Sequence, residues 1–466
     1  MNKKSLTSAI EYLDSWLPLR YQREEIPGFA IAIAYKGKIV FNKCYGYANI
    51  EKKEKLTTDH LFRIASHSKT FTATSIMQLQ EQKKLRIDDY IIQYLTWLKN
   101  HKDKRWQKVT IRQLLSHSAG ISREGTNADY WQLRGKFPNK DEVKNNILES
   151  DLILDNNIKL KYSNFGYSLL GLLIEEVSKE SYNDYVINHI IKPLNLKNIG
   201  PEYNAKIKNK FVRGYSRKNL DNKRLPIANI DTNAMSAATG FYSNAEDLCK
   251  YFLAQKIGSK KLLDDESKKE MQRTQWHAIS QNSQGHEDYG LGLEIEIDGD
   301  RRTIGHGGGF PGQTTKSTYD PKNDIAVIVL TNSMDSPTYW MRDGVFNVLD
   351  YFSKNTTKVK PKHNLSRLAG RYIDLWDILD IVVTGDKVVV SYPDSWEVLN
   401  NPVELIYVDE TTLKIGEYNS FGSEGELVKF NIKNDRVESI SYAGSTMWPE
   451  KVWFEKINNL KEINNL

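Results

Sequence analysis

Apolar positions in the first twenty residues fall at Ile10, Leu13, Trp16 and Leu17, the spacing of one helix face. Two β-like runs follow, 28–35 (GFAIAIAY) and 38–47, joined at Lys36-Gly37 as a hairpin. Residues 61–80, LFRIASHSKTFTATSIMQLQ, mix small side chains with Phe71, Ile76, Met77 and Leu79, which predicts a helix buried near the middle of a domain. In 110–121 the residues Ile111, Leu114 and Leu115 share a face and Gly120 acts as a stop. Residues 141–154 read as a helix, and 161–178 (KYSNFGYSLLGLLIEEVS) as a tight polar turn feeding an apolar helix. The stretch 180–235 is polar and loop-rich, with Pro193, Pro201 and Pro226 as punctuation.

Beyond it, 237–253 is a glycine turn and then a helix capped by Ser243 or Asn244, with Glu246 and Asp247 in its first turn. The runs 290–297 and 301–305 form a hairpin around Asp298-Gly299 that runs into a glycine-rich stretch at 306–312, glycines at the end of a strand. The strand IAVIVLT follows at 325–331. From Leu368 onward short alternating runs (378–384, 387–392, 427–432, 437–442) are separated by turn pairs such as Gly385-Asp386 and Asn434-Asp435. That spacing predicts an all-β unit of about eight strands, a small barrel or sandwich. The expected division is 1–358 and 359–466; the β-unit is expected to be a stabilising appendage, the alternative being that one of its loops, around 417–425, reaches the cleft and restricts substrate length.

Composition supports real cores: 466 residues, 39% hydrophobic and 11% aromatic. The formal charge of +6 is small and mixed along the chain. The charged runs at 52–55 and 256–269 read as solvated faces, so no nucleic-acid partner is expected. Cys44 and Cys249 stand in no metal or redox spacing and are expected to be free thiols. No run approaches the roughly 18 apolar residues of a membrane span. The first residues lack a continuous apolar signal core, so the expected location is cytoplasmic, or periplasmic or secreted if a leader has been trimmed. No metal or cofactor is expected.

The candidate chemistry starts at Ser66-His67-Ser68-Lys69, the one Ser-x-x-Lys in the chain. Positions i and i+3 of a helix lie on one face about 5–6 Å apart, so the Lys69 amine can reach the Ser66 hydroxyl. Burial favours the neutral amine, which can take the serine proton as the oxygen attacks a carbonyl. Ser66 in the first helical turn would also offer its N–H to a developing oxyanion. Tyr162 and Asn164 flank Ser163, so their side chains can point together into a cleft. There a phenol can relay a proton if a nearby ammonium lowers its pKa, and an amide can hold Lys69 or a substrate amide. His117 has no adjacent acid or nucleophile and reads as a structural histidine. The glycines after His306 leave N–H groups uncovered. No P-loop lysine follows them, and a strand rather than a helix comes next, which argues against phosphate binding.

Ser66-x-x-Lys69, Tyr162-x-Asn164 and His306-Gly307-Gly308, in that order, resemble the three motifs of the serine β-lactamase and penicillin-binding-protein family. LLSHSAGI and GFYSNAEDL resemble landmarks of its branch of class C β-lactamases, D-alanyl-D-alanine carboxypeptidases, D-aminopeptidases and esterases. The resemblance covers about residues 5–350, and the downstream segment is more weakly similar to lipocalin-like β-domains. It implies an α+β fold: an antiparallel sheet flanked by helices, an all-helical subregion, and a small C-terminal antiparallel barrel. It implies Ser66 as the acylated nucleophile, Lys69 with Tyr162 as the acid/base pair, and Asn164, His306, Gly307 and Gly308 as substrate-binding residues. The N–H groups of Ser66 and Gly309 would form the oxyanion hole. The expected activity is acyl transfer from a small peptide or ester, then hydrolysis. Because His306 replaces a permanently charged lysine and Gly307 lacks a hydroxyl, peptidase or esterase action fits better than the alternative, a β-lactamase. A non-catalytic binding, sensing or assembly protein of the same fold is the remaining alternative.

Overall fold

The structure is a computed structural model that describes residues 1–279, 286–355, 362–417 and 422–458. The chain packs as two compact units, Glu25–Thr338 and Met1–Glu24 together with Tyr339–Leu466. The expected division at 358/359 and part of the 417–425 loop lie outside the described residues.

In the first unit, the strand Gly28–Tyr35 is apolar without alternation because it is buried on both faces. It pairs antiparallel with Lys38–Asn49 on one side and Ile325–Thr331 on the other. Among the described residues these belong to a nine-stranded antiparallel sheet. Its order from one edge is Glu54–Lys55, Lys38–Asn49, Gly28–Tyr35, Ile325–Thr331, Gln313–Asp320, Arg301–Phe310, Glu294–Asp298, His286–Tyr289, Trp276–Ile279. Two expectations change here. The strand expected to end at 305 runs on, since Arg301–Phe310 stays in strand pairing through His306 and all three following glycines. A strand the sequence hides, Gln313–Asp320 (QTTKSTYD), also intervenes before 325–331. Its Thr315, Ser317 and Thr318 are buried, and Ser317 is bonded to His67, so polarity disguises a central strand.

Helices cover this sheet and form an all-helical region beside it. Ala245–Ala254, capped by the Asn244 side chain on the Asp247 N–H, packs on the strands at 28–35, 313–320 and 325–331. The helix predicted at 110–121 is only Ile111–Leu115, held by a Thr110/Gln113 capping box. Those at 141–154 and 161–178 are Lys140–Glu149 and Asn164–Ser178. The stretch 180–235 is less loop-like than expected, with helical turns at Tyr182–Val186 and Ile187–Ile191. The central helix Ser68–Glu81 is buried all round up to Leu79. Its hydroxyls bond back to helix carbonyls, Thr70 to His67, Thr72 to Ser68, Thr74 to Thr70 and Ser75 to Phe71, so a polar sequence is satisfied without water.

The second unit holds a closed eight-stranded antiparallel barrel from Gly370–Ile373 to Ser445–Pro449. Its interior includes Tyr372, Leu379, Ile381, Val390, Leu413, Val428 and Phe430. The N-terminal helix Lys3–Arg23 packs in this unit: the Trp16 indole N–H donates to the Pro393 carbonyl (3.0 Å) and the Tyr12 hydroxyl to Asp380 (2.9 Å). Gly344, in the helix Thr338–Asn355 that the sequence reading overlooked, leaves the space the Trp16 ring fills. Among the described residues no helix is long and apolar enough to cross a membrane.

In the first core, Phe71 is fully buried and stacks on Phe241 (4.3 Å) and Tyr251 (3.7 Å). Phe71→Ala is expected to cost about 3–5 kcal/mol through lost burial and a cavity, read as a fall in the urea midpoint with the slope unchanged.

Candidate active site

Ser66 is the one residue between Leu61 and Leu79 that is not buried. It does not sit in the first turn of the α-helix as expected, but in a 3₁₀ turn, Ala65–His67, that precedes the helix Ser68–Glu81. Ala65 takes a left-handed conformation (φ +49°) to enter this turn, a strained backbone for a residue with a Cβ. His67 holds the turn. Its Nδ1 lies 2.7 Å from the Ile64 carbonyl oxygen, an acceptor only, so Nδ1–H donates and Nε2 accepts the Ser317 hydroxyl (2.6 Å). Burial pushes the His67 pKa down to about 3, so the ring is neutral at neutral pH. Gly308 lies opposite, and any Cβ there would collide with the Ile64 carbonyl and Thr315 Oγ1. The glycine is what lets the strand approach the Ser66 turn.

Lys69 is fully buried. Its Nζ stands 2.7 Å from Asn164 Oδ1, 2.8 Å from the Ala238 carbonyl oxygen and 3.1 Å from Ser66 Oγ. A neutral amine has two N–H hydrogens and one lone pair. The two obligate acceptors, Asn164 and Ala238, take the hydrogens, which leaves the lone pair directed at the Ser66 hydroxyl. Burial lowers the Lys69 pKa well below the ordinary lysine value, against the upward pull of Glu124. The expectation of a depressed lysine agrees in direction and cause.

Tyr162 departs from expectation. Its ring lies 4.8 Å from Lys69 Nζ, but burial raises its pKa, outweighing the lowering influence of Ser66 on the phenol, and no ammonium lowers it. It is a neutral phenol that can donate a proton. The turn carrying it is clamped on every side: the Ser163 hydroxyl donates to the Ser122 carbonyl (2.7 Å) and accepts the Gly166 N–H, and the Asn164 N–H donates to the Arg123 carbonyl (2.9 Å). His117 accepts the Ser163 N–H at Nδ1 (3.1 Å) and packs 4.1 Å from the Tyr162 ring, which is the structural role expected of it.

His306 is buried and faces away from an anion-binding role. Its Nδ1 lies near the Gly307 carbonyl (2.6 Å) and Glu294 (3.3 Å) and so donates, while Nε2 accepts the Tyr289 hydroxyl (3.1 Å). Burial brings its pKa down to about 4, so it carries no charge at neutral pH. Burial by itself would raise the Glu294 carboxyl, but Lys316, at 2.8 Å, with His306 and the Gly307 N–H, holds it below the usual range. The strand Glu294–Asp298 stops pairing at Gly305, so the edge of the glycine strand beyond it is open. The Gly307 N–H points to that edge, and by the period of two so does the Gly309 N–H. Gly309 is exposed, with nothing near where a Cβ would project.

The structure therefore brings Ser66, Lys69, Tyr162 and Asn164 together and leaves the Gly309 N–H on an open strand edge. Its neighbour Gly308 serves the approach of backbones, and the Gly307 N–H is turned to Glu294. Sequence reasoning missed Glu124, Tyr289, Glu294, Lys316 and the Ala238 carbonyl. For Glu124 there was a signal, the charged pair Arg123-Glu124 one residue beyond LLSHSAGI. For a backbone carbonyl there is none.

The family model described as Beta-lactamase matches residues 13–349, a span that holds all of these groups. This chain belongs to the beta-lactamase family. It is 32% identical over 187 residues to Protein flp of Staphylococcus aureus (strain MW2), an alignment covering 40% of this chain and 37% of that protein. The chain thus spans well under half the length of the curated relatives it matches. The octameric penicillin-binding protein homologue from Pyrococcus abyssi is similar with a TM-score of 0.65 at 23% identity, over 94% of this chain and 99% of that one. For the D-amino acid amidase from Ochrobactrum anthropi SV3 the TM-score is 0.62 at 23% identity, over 75% and 97%. At these identities the likeness is one of fold, the β-lactamase-like sheet and helices expected from the motifs.

Two expectations follow for this beta-lactamase-family site. His67 and His306 bind protons in the unfolded chain from about pH 6.5 downward but not in the folded one until about pH 4 or below. Stability is therefore full above pH 6.5 and declines as the pH falls toward 4, which urea midpoints across that range will register. Gly308→Ala pushes the strand off the Ser66 turn, and labelling of Ser66 by a fluorophosphonate is expected to slow at least about tenfold while the circular dichroism spectrum stays that of a folded protein.

Proposed function

We propose that the protein is a serine hydrolase that cleaves amide or ester bonds of small peptides or esters through an acyl-enzyme. The observation that carries this reading is the placement of Lys69 Nζ between two fixed acceptors, Asn164 Oδ1 and the Ala238 carbonyl, and Ser66 Oγ: a neutral amine there gives its two hydrogens to the acceptors and turns its lone pair to Ser66. Ser66 Oγ attacks the substrate carbonyl carbon and its proton passes to Lys69 Nζ. The developing oxyanion is met by the N–H groups of Ser66 and Gly309, which cost no reorganisation because the turn and the strand edge already hold them. Tyr162 gives its proton to the leaving nitrogen or oxygen as the C–N or C–O bond breaks, and is reprotonated from Lys69. Water then adds to the Ser66 ester by the reverse route, releasing the acid and restoring the serine. Asn164 keeps the Lys69 amine oriented throughout.

A neutral His306 and a glycine at 307 give a substrate carboxylate little to bind, so the reading favours peptidase, amidase or esterase action over β-lactam hydrolysis. The fold shared with the D-amino acid amidase is consistent with it. Intact-mass spectrometry after incubation with a fluorophosphonate, a penicillin and a p-nitrophenyl ester, with turnover read in parallel, tests the proposal. We expect an adduct on Ser66 with ester turnover and little penicillin turnover, and a loss of at least about 10³-fold in kcat for Ser66→Ala. Ester hydrolysis undiminished in Ser66→Ala would end the proposal. An adduct without turnover on any substrate would instead favour a binding or sensing protein, and no adduct on folded protein an assembly role.

A further inference from the structure

We propose that the hairpin spanning residues 214–227 docks on an anionic lipid bilayer, with the tip residue Leu220 entering the interface and the basic side chains around it meeting the headgroups.

Charge points there first. Between Glu202 and Asp231 the chain carries eight lysines and arginines and one acid, Asp221, a net +7 against +6 for all 466 residues. The rest of the chain is therefore close to neutral. Lys206, Lys208, Lys210, Arg217 and Lys223 are exposed, and none forms an ion pair among the described residues. The acids that reach the hairpin are already committed: Glu25 to Lys218, Asp335 to Arg224, and Glu51 to the Tyr215 hydroxyl (2.9 Å).

Shape is second. Gly214–Tyr215 pairs antiparallel with Pro226–Ile227. Beyond that pair the Ser216 N–H donates to the Leu225 carbonyl (2.9 Å) and the Asn219 N–H to the Lys223 carbonyl (2.9 Å). The tip is braced by Asn219, whose side-chain oxygen accepts the N–H groups of Asp221 (3.0 Å) and Lys223 (2.9 Å). Leu220, between Asn219 and Asp221, is nevertheless wholly exposed, and Leu225 on the stem is 65% exposed. Ile50 and Met334 are also exposed at the base, where their N–H groups bond to the Tyr215 hydroxyl (2.7 Å) and carbonyl (3.2 Å). The chain thus orders a loop around an apolar side chain that no part of the protein covers.

One kind of partner matches both features. A single exposed leucine is ordinary on a protein surface. A leucine held at a braced tip among unpaired lysines and arginines fits a surface that is negative on top and apolar beneath. A bilayer with anionic headgroups is that surface: the tip enters the acyl boundary, while long basic side chains keep their charges at headgroup level on apolar stems. A nucleic acid supplies the negative charge but nothing for Leu220, and a second copy of this face brings the same positive charge. The stem rests on the turn that closes the strand Arg301–Phe310, where the Tyr215 N–H donates to the Gly312 carbonyl (3.1 Å), so the docking element adjoins the strand that carries Gly309. Docking does not require that Ser66 be reactive.

Co-sedimentation of the full chain with phosphatidylcholine vesicles, with and without one third phosphatidylserine, tests this in the wild type, Leu220→Ser and the double variant Arg217→Glu/Lys223→Glu. We expect the wild type to bind the anionic vesicles at least about tenfold more tightly than phosphatidylcholine alone, and that binding to fall at least about tenfold when salt is raised to about 0.5 M. Leu220→Ser is expected to weaken binding to the anionic vesicles at least about threefold, and the double charge reversal at least about tenfold. Unchanged urea midpoints check that the variants fold, and the lipid preference and salt dependence of the wild type need no variant. Equal binding to both kinds of vesicle, or binding to neither, overturns the proposal. Anionic-vesicle binding that Leu220→Ser leaves unchanged also overturns it, because the basic surface then serves polyanions in general, and a DNA duplex would compete for it.

Discussion

The site depends on keeping one lysine amine out of water and uncharged. Lys69 is wholly enclosed, and an ammonium there would have to give up its hydration for one amide oxygen and one carbonyl. That cost lowers the Lys69 pKa and favours the neutral amine, whose lone pair would turn to Ser66. Everything that fixes Asn164 and Ala238 in place therefore acts on the surroundings of this amine. The turn at Tyr162–Asn164 is bound by Ser122, Arg123 and His117. The short turn Ser236–Gly240 is held by Arg63, which donates to the Gly240 carbonyl (3.1 Å) and pairs with Glu202 (3.1 Å).

The second constraint is steric. A hydroxyl, a strand edge and two neighbouring backbones have to converge within a few ångströms, and only residues without a Cβ allow it. Gly308 does this between the strand and the Ile64 carbonyl, and the strained Ala65 turns Ser66 outward from an otherwise buried segment. The polar groups buried in the process are satisfied internally, His67 by Ile64 and Ser317, His306 by Gly307 and Tyr289. Because these imidazoles are buried neutral, the third motif offers shape and hydrogen bonds without charge.

Much of the fold was legible because burial writes a local pattern. The strands at 28–35, 325–331 and 378–384 coincide with apolar or alternating runs, and the free thiols Cys44 and Cys249 follow from their isolation in the sequence. The pattern failed where buried positions are polar. Gln313–Asp320 carries threonines and a serine into the middle of a sheet, and Ser68–Glu81 hides hydroxyls by bonding them to its own backbone. The glycines after His306 looked like the end of a strand, since glycine tells of missing side chains and not of whether a strand continues through them.

The sequence by itself determined that a serine and a lysine share a face three residues apart, that a Tyr-x-Asn turn opens an apolar helix, and that the chain ends in short antiparallel strands. Those are properties of neighbours along the backbone, where periodicity and turn chemistry suffice. Only the tertiary structure decided which groups surround the amine, because Asn164 and Ala238 reach Lys69 from 95 and 169 residues away. It likewise decided that Tyr162 is a neutral phenol, that His306 turns to Tyr289 and Glu294, and that Glu124 stands behind Asn164. Protonation depends on burial and on partners brought together by folding, and a linear pattern carries neither.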